Sequence, residues 1–232
     1  MVKTAFITGG GRGIGADIAR VLAGDGWDVI VTARTRDQID AVAAEIGGRA
    51  IQLDVTDRAA VDRVFDEVGT VDLLVANAGV GNDADFVTTF EVNVFGVHYC
   101  VEAALRHGVQ RIVITSSGAS YLPAGNEIAV AYSASKAAVG RYAEALNARL
   151  DIPVFFFSPG LVRTEMTEGV FPDDAPWTPP ELAPELVRKL ATGDYDALAG
   201  RYLHAEHDDV DDLLARIDEV RERDLNAIRL QR

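Results

Sequence analysis

The sequence predicts an α/β protein with one doubly wound parallel sheet. Short apolar runs alternate with segments in which apolar residues recur at helical spacing, an order typical of parallel sheets covered by helices. A glycine-rich turn follows the first apolar run. The 232 residues fit a single domain, and no repeat or low-complexity tract marks a second one. The predicted strands span residues 3–8, 28–33, 50–53, 71–75, 111–115, 154–157 and 201–204.

The first predicted strand ends at a glycine turn that opens a helix. The turn runs from Gly9 to Gly15 and contains Arg12, Gly13 and Ile14. Glycines let the backbone turn tightly and approach a pyrophosphate, whose charge is met by N–H groups at the start of the helix. This order of strand, turn and helix indicates a dinucleotide-binding Rossmann fold.

The end of the second predicted strand indicates which dinucleotide binds. Rossmann proteins that use NAD place a carboxylate near this point to bind the ribose diol. Ala33 occupies the position expected for that acid, Arg34 follows it, and Arg12 lies in the glycine turn. Two guanidinium groups can flank a 2′-phosphate, so the sequence favours NADP(H). The alternative is two solvated arginines with no role in binding.

Two further strand ends supply candidate cofactor contacts. Asp54 and Val55 follow the third strand, and the Asp54 carboxylate either accepts from an adenine amino group or only caps a turn. Asn77, Ala78 and Gly79 follow the fourth strand. Small residues at this point leave room for a cofactor across the carboxyl end of the sheet.

Tyr132 and Lys136 lie four residues apart in an Ala-rich segment that we predict to be helical, so their side chains share one face. A fixed cation beside a phenol stabilises the phenolate, which predicts a pKa of Tyr132 below its usual value of about 10. Such a tyrosine can donate or accept a proton. The alternative is an ordinary surface lysine one turn from a half-buried tyrosine.

The segments before this helix carry further polar residues. Residues 86–105 are predicted to be mostly helical, and Gly96, one turn after Asn93, indicates a distortion. The fifth strand runs into Ser116 and Ser117, and a loop over residues 119–130 leads to the Tyr132 helix. These features place several polar side chains near the carboxyl end of the sheet.

The last third of the chain is expected to close the site. Residues 164–184 are rich in Pro, Asp and Glu, and we expect them to form a mobile lid. Phe171, Trp177 and Tyr121 are candidate pocket walls. Helices are predicted for residues 182–190 and 209–228. A cluster of acids and imidazoles precedes the last helix, and its carboxylates are better explained as stabilising the positive end of that helix than as metal ligands. The cluster consists of His204, Glu206, His207, Asp208 and Asp209.

The composition excludes several classes of partner. The net charge of −14 repels phosphate backbones, so we expect no binding to nucleic acid or anionic membranes. No apolar run reaches membrane-spanning length, and the N-terminus shows no signal peptide. A lone Cys100 cannot form an internal disulfide, in agreement with a reducing compartment. We therefore expect a cytoplasmic protein.

The motifs together resemble the short-chain dehydrogenase/reductase family. The likeness covers residues 3–164 motif by motif, is looser through residue 203, and is highly specific as a set. It rests on Thr8-Gly9 with Gly13-x-Gly15, Asn77-Ala78-Gly79, Asn93, Ser117, Tyr132-x-x-x-Lys136 and Pro159-Gly160.

This resemblance implies a role for each matching residue. Tyr132 would be the general acid when a carbonyl is reduced, and Lys136 would hold the nicotinamide ribose and lower the pKa of Tyr132. Ser117 would hydrogen-bond the carbonyl oxygen, and Asn93 would position a water that links Lys136 to solvent. The implied cofactor-binding residues are Gly9, Arg12, Gly13, Ile14, Gly15, Arg34, Asp54, Val55, Asn77, Ala78, Gly79, Tyr132, Lys136, Pro159, Gly160, Val162 and Thr164.

The departures from the family pattern all concern the substrate pocket. The interval from Gly79 to Asn93 is shorter than usual, and the loop after Ser117 is longer, which leaves Ser116 as a minor alternative for the serine role. Ala76 replaces an Asn of the commonest fourth-strand motif. The substrate therefore does not follow from the resemblance.

The leading hypothesis is a cytoplasmic NADPH-dependent reductase of a ketone or aldehyde, with a small-molecule carbonyl or alcohol as its substrate. The resemblance also implies a homodimer or homotetramer. The main rival is a catalytically idle NADP(H)-binding regulator on the same fold. An epimerase or dehydratase is a third possibility, although it normally needs a larger C-terminal region.

Overall fold

The computed structural model describes residues 2–123 and 128–229, and these residues contain one seven-stranded sheet. Its strands are β1 (Thr4–Thr8), β2 (Asp28–Ala33), β3 (Arg49–Gln52), β4 (Leu73–Ala76), β5 (Arg111–Thr115), β6 (Val154–Ser158) and β7 (Tyr202–His204). They lie in the order β3-β2-β1-β4-β5-β6-β7, and all neighbouring pairs are parallel. The predicted doubly wound parallel sheet is confirmed.

Helices connect the strands on both faces of the sheet. They are α1 (Gly13–Gly24), α2 (Arg36–Ile46), α3 (Arg58–Val68), α4 (Phe86–Phe90), α5 (Val97–Arg106), α6 (Val130–Asn147), α7 (Leu182–Thr192), α8 (Val210–Ala215) and α9 (Ile217–Glu222). A π-helical turn at Glu91–Gly96 joins α4 to α5. This turn is the distortion that Gly96 predicts.

Two apolar layers hold the helices against the sheet. Because successive strand residues point to opposite faces, Ala5 and Ile7 enter one layer with α1, α2 and α7, whereas Phe6 enters the other with α3, α5 and α6. Phe6 and Phe65 are both fully buried, and their ring centroids lie 4.6 Å apart in the second layer. Burial on both faces explains why the strands are continuously apolar in sequence.

The chain reverses its direction across the sheet between β1 and β4, and this reversal opens a crevice. Phe6 of β1 is paired with Ile30 of β2 on one side and with Leu74 of β4 on the other. The connections that follow β1 and β4 therefore diverge at the carboxyl ends of these strands. Ligands bind at such a switch point in open α/β sheets.

The predicted C-terminal helix over residues 209–228 is wrong in its continuity. It is divided into α8 and α9 because Arg216 leaves the helical region, with φ −115° and ψ 35°. After α9 the chain turns back along the edge of β7, where the Asn226 carbonyl accepts from the Tyr202 N–H at 2.7 Å. The returning segment covers the free edge of β7.

Two other predictions can be compared with the structure only over the described residues. The predicted loop over residues 119–130 includes residues 124–127, which lie outside the described residues. Within the part of the chain that the structure describes, no helix is long and apolar enough to cross a membrane.

Candidate active site

Two cavities meet at Tyr132 near the carboxyl ends of the strands. The first cavity, of about 300 Å³, lies in the crevice between β1 and β4. The second cavity, of about 390 Å³, lies beyond β5 and β6. Tyr132 and Met166 line both cavities, so the phenol is accessible from two separate binding volumes.

The first cavity collects most of the predicted cofactor residues. Gly160 instead lines the second cavity, and Val162 is buried and lines neither. The predicted residues that do line the first cavity are Gly9, Arg12, Gly13, Ile14, Gly15, Arg34, Asp54, Val55, Asn77, Ala78, Gly79, Tyr132, Lys136, Pro159 and Thr164.

The glycine turn is needed because the backbones around it lie very close together. A Cβ on Gly15 would lie 2.2 Å from the Gly9 carbonyl oxygen and 2.5 Å from Nδ2 of Asn77. Gly9 has a φ of +66°, a conformation that side chains disfavour. The turn therefore presents the free N–H groups at the start of α1 to the cavity, where they can meet an anion.

Asn77 ties three strands together rather than pointing freely into the cavity. Its Nδ2 donates to the Thr8 and Gly9 carbonyls at 3.2 and 3.3 Å, and its Oδ1 accepts from the Thr115 hydroxyl at 3.1 Å. The Thr8 hydroxyl oxygen accepts from the N–H groups of Asn77 and Ala78 at 3.0 Å each. Sequence reasoning included Thr8 in the motif but missed Thr115, whose position at a strand end was the only signal.

The two predicted phosphate-binding arginines differ in their surroundings. Arg12 forms an ion pair with Glu165 of the predicted lid, and both side chains are exposed. Arg34 lines the same cavity beside Thr35 and Gln38 and forms no ion pair with a described residue. Sequence reasoning missed Glu165, Thr35 and Gln38. Arg34 is therefore the guanidinium that is ready to bind an anion.

Asp54 supports both of the alternatives that the sequence left open. Its Oδ1 accepts from the Thr56 N–H at 2.9 Å and from the Thr56 hydroxyl at 2.8 Å, which is a capped turn. Asp54 also lines the first cavity together with Val55. The turn fixes the carboxylate at the cavity wall.

Tyr132 and Ser117 lie together where the cavities meet, and both line the second cavity. Burial raises the pKa of the Tyr132 phenol above its usual value, and the hydrogen bond with Ser117 opposes that rise. The predicted lowering of the pKa of Tyr132 by Lys136 is therefore wrong in direction, because burial has the larger effect. The phenol is accordingly protonated and able to donate at neutral pH.

Lys136 is held by the sheet rather than by the phenol. Its side chain is 5% exposed, its Nζ donates to the Thr115 carbonyl at 2.9 Å, and Nζ lies 5.7 Å from the centroid of the Tyr132 ring. Burial lowers the pKa of Lys136 to about 8. The two side chains do share one face of α6, as the spacing predicts, with the ammonium beside the ring.

Asn93 is completely buried in the π-helical turn and fastens the loop after β4. Its Oδ1 accepts from the Val80 N–H at 2.8 Å, and its Nδ2 donates to the Val80 carbonyl and the Ser135 hydroxyl, both at 3.1 Å. The Ser135 hydroxyl in turn donates to the Tyr132 carbonyl at 2.8 Å. The described contacts of Asn93 thus position α6, whereas its implied role with a water stays a prediction.

Ser117 is better placed than Ser116 for the implied serine role, which stays a prediction. Ser117 lines the second cavity with Tyr132 and accepts from the Ala119 N–H at 3.2 Å. Ser116 is buried on the side of the first cavity, and its Oγ has no hydrogen-bond partner among the described residues. The alternative of Ser116 is therefore not favoured.

The second cavity is mostly apolar and is built by late segments of the chain. Phe171 lines it, as expected, but Trp177 and Tyr121 do not. Trp177 packs beneath the Arg163 guanidinium at 4.5 Å, and Tyr121 packs edge-on against Tyr202 at 5.0 Å. The predicted lid, residues 164–184, supplies much of the apolar wall, and its mobility stays a prediction.

The histidine and acid cluster before α8 has no metal-binding arrangement. Among residues 2–123 and 128–229, no group of three or more His, Cys, Asp or Glu side chains can hold a metal ion. Asp208 accepts from the His204 N–H at 2.6 Å, and Asp209 caps the start of α8. The cap is the role that the sequence favours for these acids.

Comparisons with known proteins agree with this geometry. The family model described as short chain dehydrogenase matches residues 3–175. The oxidoreductase UcpA of Salmonella typhimurium is 35% identical over 214 residues, which cover 81% of this chain and 80% of that protein. The 3-oxoacyl-(acyl-carrier-protein) reductase FabG of Escherichia coli is 32% identical over 194 residues, covering 74% of this chain and 78% of that protein.

A solved structure shares the fold over most of its length. The crystal structure of BdcA in complex with NADPH superposes with a TM-score of 0.76 at 29% identity, and the match covers 87% of this chain and 91% of that one. The seven-stranded parallel sheet flanked by helices agrees with these matches. The chain belongs to the short-chain dehydrogenase family and is an oxidoreductase.

Proposed function

We propose that this oxidoreductase reduces a ketone or aldehyde with NADPH, and that Tyr132 supplies the proton. The observation that carries the proposal is the position of Tyr132. Tyr132 lines both a cavity with dinucleotide-binding features and a mostly apolar cavity, and Ser117 lies beside it in the apolar one. A carbonyl bound in the second cavity can thus be reached both by a cofactor in the first cavity and by the Tyr132 phenol.

The residues of the first cavity fit NADP(H). The N–H groups at the start of α1 can hold the pyrophosphate. Ala33 presents no carboxylate at the end of β2, and Arg34 lies beside it without an ion pair to a described residue, which suits a 2′-phosphate. The related BdcA structure was solved with NADPH. Bound NADPH supplies the hydride in this chemistry.

The side chains at the junction have complementary tasks. The Ser117 hydroxyl donates to the substrate carbonyl oxygen and stabilises the negative charge that develops there. The Tyr132 phenol donates its proton to the same oxygen, so that the carbonyl becomes an alcohol. The nearby Lys136 ammonium stabilises the phenolate that remains, since unlike charges attract strongly at a poorly solvated site. The reverse sequence oxidises an alcohol.

The loss of NADPH absorbance with a panel of ketones, diketones, quinones and aldehydes tests the proposal. We expect at least one substrate to be reduced, and Tyr132→Phe to lower kcat by about 10²- to 10⁴-fold because general acid catalysis is lost. Tyr142→Phe is the matched control on the same helix, and Tyr142 lines neither cavity. Full activity of Tyr132→Phe would contradict the role of Tyr132 as proton donor. Wild-type protein that binds NADPH but reduces no member of the panel would instead favour the rival of an idle NADP(H)-binding protein.

The assembly of the chain is a separate proposal. A homodimer or homotetramer is supported by apolar side chains that are exposed along α4 and the π-helical turn: Phe86, Val87 and Phe95. The solution mass from light scattering tests it, and a monomer at working concentration would contradict it. The cytoplasmic location stays a prediction of the sequence.

A further inference from the structure

The second cavity contains a polar cluster that the reaction chemistry does not use. We define this polar cluster as Thr178, His204 and Glu206, all of which line the cavity. Ser117 follows β5 whereas His204 ends β7, and β6 lies between them in the sheet. Because neighbouring strands are roughly 5 Å apart, the two polar regions are separated by roughly 10 Å at the backbone.

Ser158 ends β6 between the two polar regions, but its hydroxyl oxygen already accepts from the Gly118 and Gly160 N–H groups at 3.1 and 3.3 Å, and most of the remaining wall is apolar. The wall of the cavity includes Leu161, Val170, Phe171 and Pro176. A substrate that reaches from Ser117 and Tyr132 to the polar cluster therefore has an apolar middle. Its far end meets the polar cluster, in which Thr178 is buried, His204 is half-buried and Glu206 is exposed. An end group that forms hydrogen bonds replaces the water there at a lower cost than an alkyl group does.

Glu206 is held in place by a buried hydroxyl. Thr178 is 3% exposed, its Oγ1 donates to the Glu206 carboxylate, and it accepts from the Leu161 N–H at 3.0 Å. A Cβ on Gly160 would lie 2.2 Å from the Thr178 hydroxyl oxygen, so glycine at this position is what lets Thr178 approach. Glu206 forms no ion pair with any residue that the structure describes, and its carboxylate remains available as an acceptor.

His204 lines the same cavity as Glu206 and can supply a donor. Its Nδ1 accepts from the Glu206 N–H at 3.2 Å, so in the neutral ring the proton lies on Nε2. The ring stacks on His207 with centroids 4.1 Å apart, and the cavity lies along both rings. Burial and the neighbouring His207 lower the pKa of His204, which agrees with a neutral imidazole.

We propose that the polar cluster selects carbonyl substrates that carry a hydroxyl group at the end remote from the carbonyl. A hydroxyl can donate to Glu206 and accept from Nε2 of His204, which matches one donor and one acceptor. An alkyl end would form no hydrogen bond with either protein group, and a carboxylate end would be repelled by Glu206. The inference rests on the proposed carbonyl reduction and adds the substrate class to it.

The test compares three methyl ketones of matched length, whose far ends are a methyl, a hydroxyl and a carboxylate. We expect wild-type kcat/KM to be about 10-fold higher for the hydroxyl ketone than for the methyl one, and lowest for the carboxylate. Glu206→Gln should raise kcat/KM for the carboxylate ketone by about 10-fold and leave the methyl ketone unchanged. Glu168→Gln, an exposed lid residue that lines neither cavity, is the control.

A second pair of variants tests the positioning role of Thr178. We expect Thr178→Val to raise KM for the hydroxyl ketone while kcat stays near wild type, because the Glu206 carboxylate is no longer held. Thr178→Ser keeps the hydroxyl and should restore the wild-type KM. An equal loss for all three ketones in both variants would assign Thr178 a purely structural role and would contradict the proposal.

The outcomes separate the inference from the function on which it rests. Reduction of all three ketones with equal kcat/KM, or ratios that Glu206→Gln does not change, would overturn the hydroxyl inference and leave the reductase intact. If wild-type protein reduces no carbonyl compound while it still binds NADPH, the proposed function fails, and the substrate class fails with it.

Discussion

The two cavities that meet at Tyr132 are built in different ways. The first is formed largely by backbone, glycine and short side chains that follow β1, β2 and β4, and hydrogen bonds such as those of Asn77 fix its shape. The second is lined by side chains from residues 158–178 and 204–207, most of which lie outside regular elements. What the first cavity can bind therefore depends mainly on the space that its backbone leaves open. What the second cavity can bind depends mainly on which side chains line it.

This contrast has a consequence for mutation. In the first cavity an added methyl group should reduce stability and cofactor binding more than a changed functional group does, because backbone atoms cannot move aside easily. In the second cavity, substitutions should redistribute activity among substrates while the fold persists.

The largest effect is expected at Gly15. Gly15→Ala places a Cβ 2.2 Å from the Gly9 carbonyl oxygen, so the turn must open. We expect a loss of about 1–3 kcal/mol in the free energy of unfolding and a loss of measurable NADPH binding. Gly24→Ala, at the other end of α1, is the control because its Cβ would meet nothing within 4 Å. Urea unfolding measures the stability and fluorescence titration measures NADPH binding. Equal losses in Gly15→Ala and Gly24→Ala would contradict the contrast between the two cavities.

The next effect concerns the buried ammonium of Lys136. Its pKa of about 8 in the folded state is below its ordinary value of 10.5, so burial of the charge destabilises the fold at neutral pH. Between these two values the unfolded chain binds the proton that the folded chain has lost, and stability from this group rises with pH.

Lys136→Met should therefore gain stability relative to wild type near pH 7, and the gap should narrow by an amount on the order of 3 kcal/mol as pH rises past 10. Urea unfolding of both proteins across this pH range measures the gap. Subtracting the free energy of unfolding of the variant from that of wild type removes the contribution of groups that titrate in both proteins. A gap that stays constant with pH would show that Lys136 is not held as a buried cation.

A smaller effect is expected for the choice of cofactor. Arg34→Ala should weaken NADPH binding by about 10-fold more than NADH binding, because a charge-assisted contact with the 2′-phosphate is lost. Arg12→Ala should have a smaller effect on this ratio, because Arg12 already has a partner in Glu165. Equal losses for NADPH and NADH in Arg34→Ala would contradict the assignment of Arg34.

The sequence predicts the first cavity well and the second poorly, for the same physical reason. Close backbone approach tolerates only glycine, and Gly9, Gly13 and Gly15 therefore leave a readable pattern. Tyr132 and Lys136 are likewise related by helical spacing. Local geometry of this kind can be recognised from the order of residues along the chain.

Long-range contacts leave no such pattern. Thr178 and Glu206 are far apart in sequence and meet only because residues 159–181 cross over the end of β6. The ion pair of Arg12 with Glu165 and the break at Arg216 are also set by tertiary packing. Burial reversed the expected direction of the Tyr132 pKa shift, because the sequence shows the neighbouring charge but not the desolvation.

The central claim is that the Tyr132 phenol delivers the proton at the junction of the two cavities. Single-turnover oxidation of enzyme-bound NADPH by a carbonyl substrate tests it most directly, because this measurement separates chemistry from cofactor binding and product release. We expect Tyr132→Phe to bind NADPH with a Kd within about twofold of wild type and to oxidise it about 10²-fold or more slowly, while Tyr142→Phe matches wild type. A Tyr132→Phe protein that oxidises bound NADPH at the wild-type rate would contradict the account.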